Sequence, residues 1–447
     1  MASRFLSSTS RSSHAVLAAL LLSGSVVACT STIVQRESAP PAPADEAGVI
    51  DPPMTHPLPE AGTPDTSTGP FVFEPAPSGT FAQAVSFGGS VVKTPKIVPI
   101  VFAADASKQQ VADFVTKLAT TTYWGKISSE YGVGALTAKP AIVLSETAPT
   151  SIDDNQIGPW LAAKFSSDAA HFGTPDSSTL YAVFYPDGTT VTQGSGTSCT
   201  EFGGYHFETS AGGKSISYAV IPRCASFAGF AGSDVITFAS SHEVLEWATD
   251  PFPQTRPAYR GVDDDHAVWS RVFLGELGDL CTQMGNVSDI PTDLGFTVQR
   301  TWSNAAAKLG HDPCVPATKD AYFQSAPVLS QSVTFTLPAS FGGSDVATKG
   351  VTIPVGKSKT IEVDLFSDAA TSGAWTVSAV DTISRFTRQA PTLDFAWDRT
   401  TGVNGEKLHL TVTVKSAASL VTGAHPFSIT STLGKQTVSW PALVVEQ

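Results

Sequence analysis

Apolar positions along this chain change their rhythm twice. Up to about residue 78 there is one short apolar run, Ala15 to Leu22, and nothing periodic after it. From about 80 to 316, compact apolar runs alternate with stretches spaced by three and four, the pattern of strands followed by helices. Ile97-Val98-Pro99-Ile100-Val101-Phe102 predicts a buried strand, and Val111, Phe114, Val115 and Leu118 the inner face of a helix after it. Tyr123-Trp124 and Tyr131-Gly132-Val133-Gly134 read as loop, residues 141–144 as a second strand and 157–165 as a second helix. Residues 180–185 and 216–221 read as further buried strands. A helix capped by Ser233 then runs to Asp250-Pro251, since proline disfavours helix at the residue before it. On that helix Val235, Ala239, His242 and Glu246 share one face, while Phe238, Leu245 and Trp247 turn toward a core. Beyond about 319 the period becomes two, as in Val333-Thr334-Phe335-Thr336-Leu337 and Leu408-His409-Leu410-Thr411-Val412-Thr413-Val414, with turns between the runs and no amphipathic helix. That predicts an all-β, Ig-like antiparallel sandwich.

The N-terminal run is too short to span a bilayer and has the build of a signal peptide: Arg4 and Arg11 ahead of it, Ser23-Gly24-Ser25 behind it. Val26-Val27-Ala28-Cys29 looks like a bacterial lipobox, which predicts cleavage after residue 28 and lipidation of Cys29. With Thr30 rather than aspartate next, the usual sorting rule points to an outer-membrane lipoprotein facing the periplasm or the cell surface. The resulting layout is a signal peptide over 1–29, a Pro/Ser/Thr/Ala-rich disordered tether over 30–78, an α/β domain over 79–318 and the sandwich over 319–447. Forty acidic residues against 27 lysines and arginines give a net charge of −13, which argues against a nucleic-acid partner and leaves the lipid as the membrane contact. Cys199, Cys224, Cys281 and Cys314 form an even set in an exported chain. Proximity in sequence favours Cys199–Cys224 and Cys281–Cys314 among three possible pairings, and no C-x-x-C spacing suggests a cysteine metal site.

The chemistry concentrates in His242-Glu243-Val244-Leu245-Glu246. Residues four apart stack on one helical face, so an imidazole and a carboxylate there can reach one ion, while Glu243 stands beside them as a base for water. A third ligand has to come from elsewhere. Glu276 is the first choice, in Gly275-Glu276-Leu277-Gly278-Asp279-Leu280-Cys281, with Asp279 as alternative ligand or supporting partner, and His206 and His266 behind them. A solvated polar helix face with a hydrogen-bonded histidine is the plain counter-reading. Tyr205, Tyr218 and Tyr259 are oxyanion candidates whose simpler role is packing. No Gly-x-Ser-x-Gly elbow supports a serine hydrolase.

The order Val101-Phe102, Tyr131-Gly132-Val133-Gly134, Gly204-Tyr205-His206, Tyr218-Ala219-Val220-Ile221-Pro222, His242-Glu243-x-x-Glu246, Glu276-x-x-Asp279-x-Cys281 resembles that of the plant exordium-type (phosphate-induced) proteins and of bacterial exported proteins built alike. The resemblance covers roughly residues 90 to 315. It implies an extracellular or cell-wall-associated protein and, through the helix motif, a zincin-like domain with a twisted mixed sheet beside an active-site helix. His242, Glu243, Glu246, Glu276 and Asp279 are the positions carried over. Glutamate at 246, where zincins place histidine, is a harder ligand, so zinc or another divalent metal is expected. The resulting expectation is a zinc metallohydrolase of peptidase type acting on a peptide or cell-wall substrate. The alternative is a non-catalytic surface protein binding cell-wall polysaccharide on the same scaffold.

Overall fold

The computed structural model describes residues 73–446, apart from 273–274, 286, 338–342, 388, 419–420 and 422. The expectations for the signal peptide, for Cys29 and for residues 30–72 of the tether fall outside the described residues. The last tether residues are held in place: Asn404 accepts from the Ala76 amide at 3.1 Å and donates to the Glu74 carbonyl at 3.0 Å. The described chain is β-rich, with several sheets and a few helices.

The first part is organised by a six-stranded mixed sheet made of β1 (Lys96–Phe102), β2 (Thr137–Ala138), β3 (Ile142–Leu144), β4 (Thr179–Phe184), β5 (Tyr205–Ala211) and β6 (Lys214–Ile221). Its order is β2-β1-β4-β6-β5, with β3 also beside β1; all pairings are parallel except the β5–β6 hairpin. Every residue of β4 is buried, as expected of a parallel strand covered on both faces. One face carries Ile100, Tyr181, Val183 and Val220 against Ile157, Leu161 and Phe165 of a helix over Asp154–Ser167. The other carries Ile97, Val101, Leu180, Ala182 and Phe184 against a helix over Lys108–Thr120, where the four predicted inward positions are all buried.

Three details differ from the sequence reading. Tyr123 and Trp124 lie in a short helix, Thr122–Ser128, with their rings buried and their polar atoms satisfied: Tyr123 Oη donates to the Gln299 carbonyl and Trp124 Nε1 to that of Gly134. Ser233 does not cap the motif helix, which is labelled α1 here (Ser233–Thr249); Gly232, at φ 57°, precedes it with no side-chain cap. The helix is also not two-sided. Val235, Ile236, Phe238, Ala239, Val244, Leu245, Trp247 and Ala248 are all buried, so it runs through the interior with β5 and β6 on one side. On the other side lie α2 (Leu277–Met284) and the short strand Val298–Gln299.

The second part holds two sheets. One, in the order β7-β10-β14-β12, consists of Phe323–Pro327 (β7), Ser358–Ser367 (β10), Leu393–Trp397 (β12) and Lys407–Val414 (β14). The other, in the order β8-β9-β16-β15-β11-β13, consists of Gln331–Thr336 (β8), Asp345–Thr352 (β9), Trp375–Asp381 (β11), Thr401–Gly402 (β13), Ala424–Leu433 (β15) and Gln436–Val445 (β16). Period-two alternation is plain in β14, where Leu408, Leu410, Val412 and Val414 are buried. Two features depart from a purely antiparallel, helix-free reading. β9 and β16 pair in parallel, and the turn Thr382–Thr387 is helical.

The apolar interior is continuous between the two parts. Trp269 stacks edge-on against Trp302 and Trp440, with centroids 5.8 and 5.1 Å away, and its indole N–H donates to the Pro441 carbonyl at 3.1 Å. The disulfides are Cys199–Cys224 and Cys281–Cys314. No helix among the described residues is long and apolar enough to cross a membrane.

Two stability outcomes follow. Trp269→Ala removes a fully buried indole at this junction and should cost about 3–5 kcal/mol, read as one cooperative shift of thermal unfolding monitored in both parts. At the edge of β1, burial would raise the Asp176 carboxyl, but the Lys96 ammonium at 2.8 Å, the Ser178 amide and two hydroxyls hold it well below the usual range. That stabilisation is present above the unfolded pKa of about 4 and fades as pH falls below it. Because the pair is partly solvated, it is worth on the order of 1 kcal/mol. The melting-temperature gap between wild type and Asp176→Asn should therefore narrow from pH ~6 to pH ~2.

Candidate metal centre

Two carboxylates of α1 sit deep inside the protein: Glu243 is 4 % exposed and Glu246 3 %. The helix that carries them is buried on nearly every side, so they are cut off from water and must find partners inside. Those partners come from three other places in the chain: His206 from β5, Glu276 and Asp279 from the N-cap and first turn of α2, and Gln299 from its short strand.

Glu246 is the hub. Its Oε1 accepts from the Asp279 amide at 3.1 Å, which fixes the carboxylate plane. Its Oε2 lies 3.0 Å from His242 Nε2, the contact expected of positions four apart on a helix, and 4.0 Å from His206 Nδ1. Asp279 Oδ1 is 3.8 Å from His242 Nε2. Glu243 turns to the other histidine, with Oε2 at 3.3 Å from His206 Nδ1. Glu276, the first-choice third ligand, stands on the His206 side, 4.0 Å from Nε2, and does not join His242. The buried groups His242–Glu246–Asp279 and His206–Glu243–Glu246 could each hold a metal ion, since the donor atoms within each lie within 4.8 Å of one another.

The imidazole orientations are set by neighbours. The Gln299 side-chain N–H donates to the Gly278 carbonyl, which leaves its oxygen facing His242 Nδ1 at 2.5 Å. Nδ1 therefore carries a proton and Nε2 points at Glu246. Gln299 is itself anchored to α1, its amide donating to Ser241 Oγ at 2.9 Å. His206 Nε2 lies 3.3 Å from the Asp250 carbonyl, which directs Nδ1 toward the glutamates.

Two glycines make room. A Cβ at Gly278 would stand 2.7 Å from His242 Nδ1 and 2.8 Å from Glu246 Oε1; one at Gly204 would stand 3.2 Å from Glu243 Oε1. Glycine in the first turn of a helix is unfavourable by propensity, and here the close approach explains it.

The charges are unbalanced. Burial raises the Asp250 carboxyl, and Glu276 adds to this, up to about 7. Glu276 is likewise raised by burial to about 7, although His206 and Arg260 pull it down. Asp279 is pushed up by burial and by Glu246. Burial alone would lower both histidines, yet Glu276 and Glu243 carry His206 up to about 10, and Glu246 holds His242 well above the ordinary imidazole range. Five carboxylates thus face two imidazoles in a space shielded from water.

Of the other residues singled out in the sequence, His266 is engaged away from the centre, with Nδ1 2.8 Å from Asp263 Oδ1 and Nε2 2.6 Å from the Thr80 carbonyl. Tyr259 packs edge-on against Tyr131, and Tyr205 is buried among Phe202 and its neighbours. Gln299, Gly278 and Asp250 belong to the centre without having been singled out for it. A glycine between Glu276 and Asp279 was a readable sign of close approach; nothing in the sequence near Gln299 announced it.

No protein-family model and no curated protein matches the sequence. Among solved structures, domains 4 and 5 of the S-layer protein SbsC align at 15% identity over 29% of this chain and 79% of that one, with a TM-score of 0.16. A chimeric titin Z1Z2 aligns at 14% identity over 28% and 97%, TM-score 0.16. A family 123 glycoside hydrolase from Clostridium perfringens aligns at 7% identity over 28% and 27%, TM-score 0.17. Similarity at this level carries nothing about function.

Gly278→Ala should weaken cation binding by about 10–100-fold while leaving the fold intact, because it displaces His242 and Glu246 without touching the main core. Competition between the protein and a chromophoric chelator for Co2+ measures this, and unchanged affinity would remove the glycine from the site.

Proposed function

We propose that this protein is an exported, lipid-anchored metallohydrolase of zincin-like type, acting as a peptidase, with zinc held by His242, Glu246 and Asp279. The observation that carries the reading is the aim of one imidazole. His242 is tied at Nδ1 to Gln299 and presents Nε2 to two buried carboxylates at 3.0 and 3.8 Å, the supported-histidine arrangement of metal sites. Asp279 takes the place the sequence reading gave to Glu276. The mixed sheet flanked by α1 is in keeping with a zincin-like domain, and the motif order supports kinship with the exordium-type proteins. The facing sheets of the second part support an Ig-like sandwich: Ser325 accepts from Trp375 Nε1 and from the Ser431 hydroxyl across them. Anchoring at the outer membrane rests on Val26-Val27-Ala28-Cys29.

Zinc in this triad supplies Lewis acidity to a carbonyl and to water. The chain's own part is to receive and hold the proton. Glu243 is the acceptor, and its Oε2 is oriented by His206 Nδ1 at 3.3 Å, while the Asp250 carbonyl keeps that ring in place. Arg260, close enough to bias Glu276, adds positive charge at the margin.

A structural ion in a polysaccharide-binding protein is the second reading, favoured by how deeply Glu243 and Glu246 are buried. Glu243→Gln separates the two. In a hydrolase it retains bound zinc and lowers turnover of a peptide library by about 10²–10⁴-fold. Library cleavage that is unchanged in the variant, or absent from zinc-loaded wild type, sinks the peptidase.

A further inference from the structure

We infer that the centre is built for two divalent cations, with Glu246 as the ligand shared between a His242–Asp279 position and a His206–Glu243 position. This rests on the metal-centre reading above and extends it; with the second position filled, Glu243 and His206 serve as ligands rather than as the proton acceptor and its support in the single-ion reading.

The donors divide in two. Among the described residues, each group within 4.8 Å contains one imidazole, and Glu246 is the member common to both. An ion bonded at about 2.0–2.2 Å spans donors no more than about 4.4 Å apart, so one ion cannot collect the whole set.

Each half is prepared in the same way. His242 gives its Nδ1 proton to the Gln299 oxygen and aims Nε2 at Glu246; His206 faces the Asp250 carbonyl with Nε2 and aims Nδ1 at Glu246 and Glu243. Two rings held from behind by fixed oxygens and converging on one carboxylate have the form of a bridged pair.

A separate observation lies on the His206 side. Asp250 is fully buried, and while its Oδ1 accepts from the Ala258 amide at 2.6 Å, its Oδ2 has no hydrogen-bond partner among the described residues, and the Glu276 carboxylate is near enough to act on it. Buried carboxylates left facing one another call for positive charge between or beside them. One cation at the His242 position leaves this side short; a second, at His206 and Glu243, supplies it. One nitrogen and two carboxylates at each position suit zinc or manganese, and paired ions about 3.5–4 Å apart are the common form of two-metal hydrolytic centres.

The test is zinc stoichiometry of the full-length protein, stripped of metal, reloaded with Zn2+ and measured by native mass spectrometry and elemental analysis. Two zinc ions per wild-type chain are expected, one in His206→Ala, one in His242→Ala and none held tightly in Glu246→Ala, with circular dichroism confirming the fold of each variant. One zinc in wild type, kept by His206→Ala and lost by His242→Ala, overturns the second position and leaves the single-ion hydrolase standing. One zinc lost in either histidine variant also overturns it, as a single centre using both rings. No zinc in wild type overturns both readings. The wild-type count decides the matter even if a variant fails to fold.

Discussion

The structure turns on the burial of Glu243 and Glu246 in a helix that is covered on nearly every side. A carboxylate placed in an apolar interior must be neutralised, hydrogen-bonded or bound to a cation, and each remedy has to be brought from elsewhere in the chain. That requirement explains why β5 delivers His206, why α2 begins where it does, and why the strand carrying Gln299 lies alongside α1. The Asp279 amide, free because it belongs to the first turn of α2, is used to fix Glu246. The glycine next to it lets the two helices approach closely. An apolar pair at 243 and 246 would need none of these parts.

Much of this was legible in the sequence, and the limits are physical. Strands β1, β4 and β6 and the helix over 108–120 are visible because a buried parallel strand is continuously apolar and a one-sided helix shows its period. His242 and Glu246 meet because positions four apart always do. Asp279 and Glu276 are suggested by their spacing, but which of them approaches His242 depends on how α2 enters, and that is a tertiary fact. Glu276 precedes the helix and swings toward His206; Asp279, inside it, faces α1. His206 looked secondary because thirty-six residues separate it from His242. The hairpin β5–β6 closes that distance. The amphipathic reading of α1 failed because side chains at every angle are covered, and a helix buried on all sides carries no period to detect.

One disulfide fastens the same region. Cys281 lies two residues beyond Asp279 and joins Cys314 near the entry to the second part, so the helix bearing Asp279 is fastened covalently as well as packed. Arg300 serves the same junction: its guanidinium donates to the Asp312 carboxylate and to the carbonyls of Cys314 and Pro316. The connection between the two parts is thus a braced joint, and Trp269 and Trp440 fill its middle.

The place of β16 has a consequence for the life of the molecule. The helix that brings Asp279 to the centre leans on this final strand, and Trp269 is bonded to Pro441, a few residues from the C-terminus. Every element of the centre precedes this buttress in the chain. A chain whose β16 has not yet docked therefore carries His242, Glu243 and Glu246 without the wall behind Asp279. The centre is complete only once this strand has taken its place between β9 and β15.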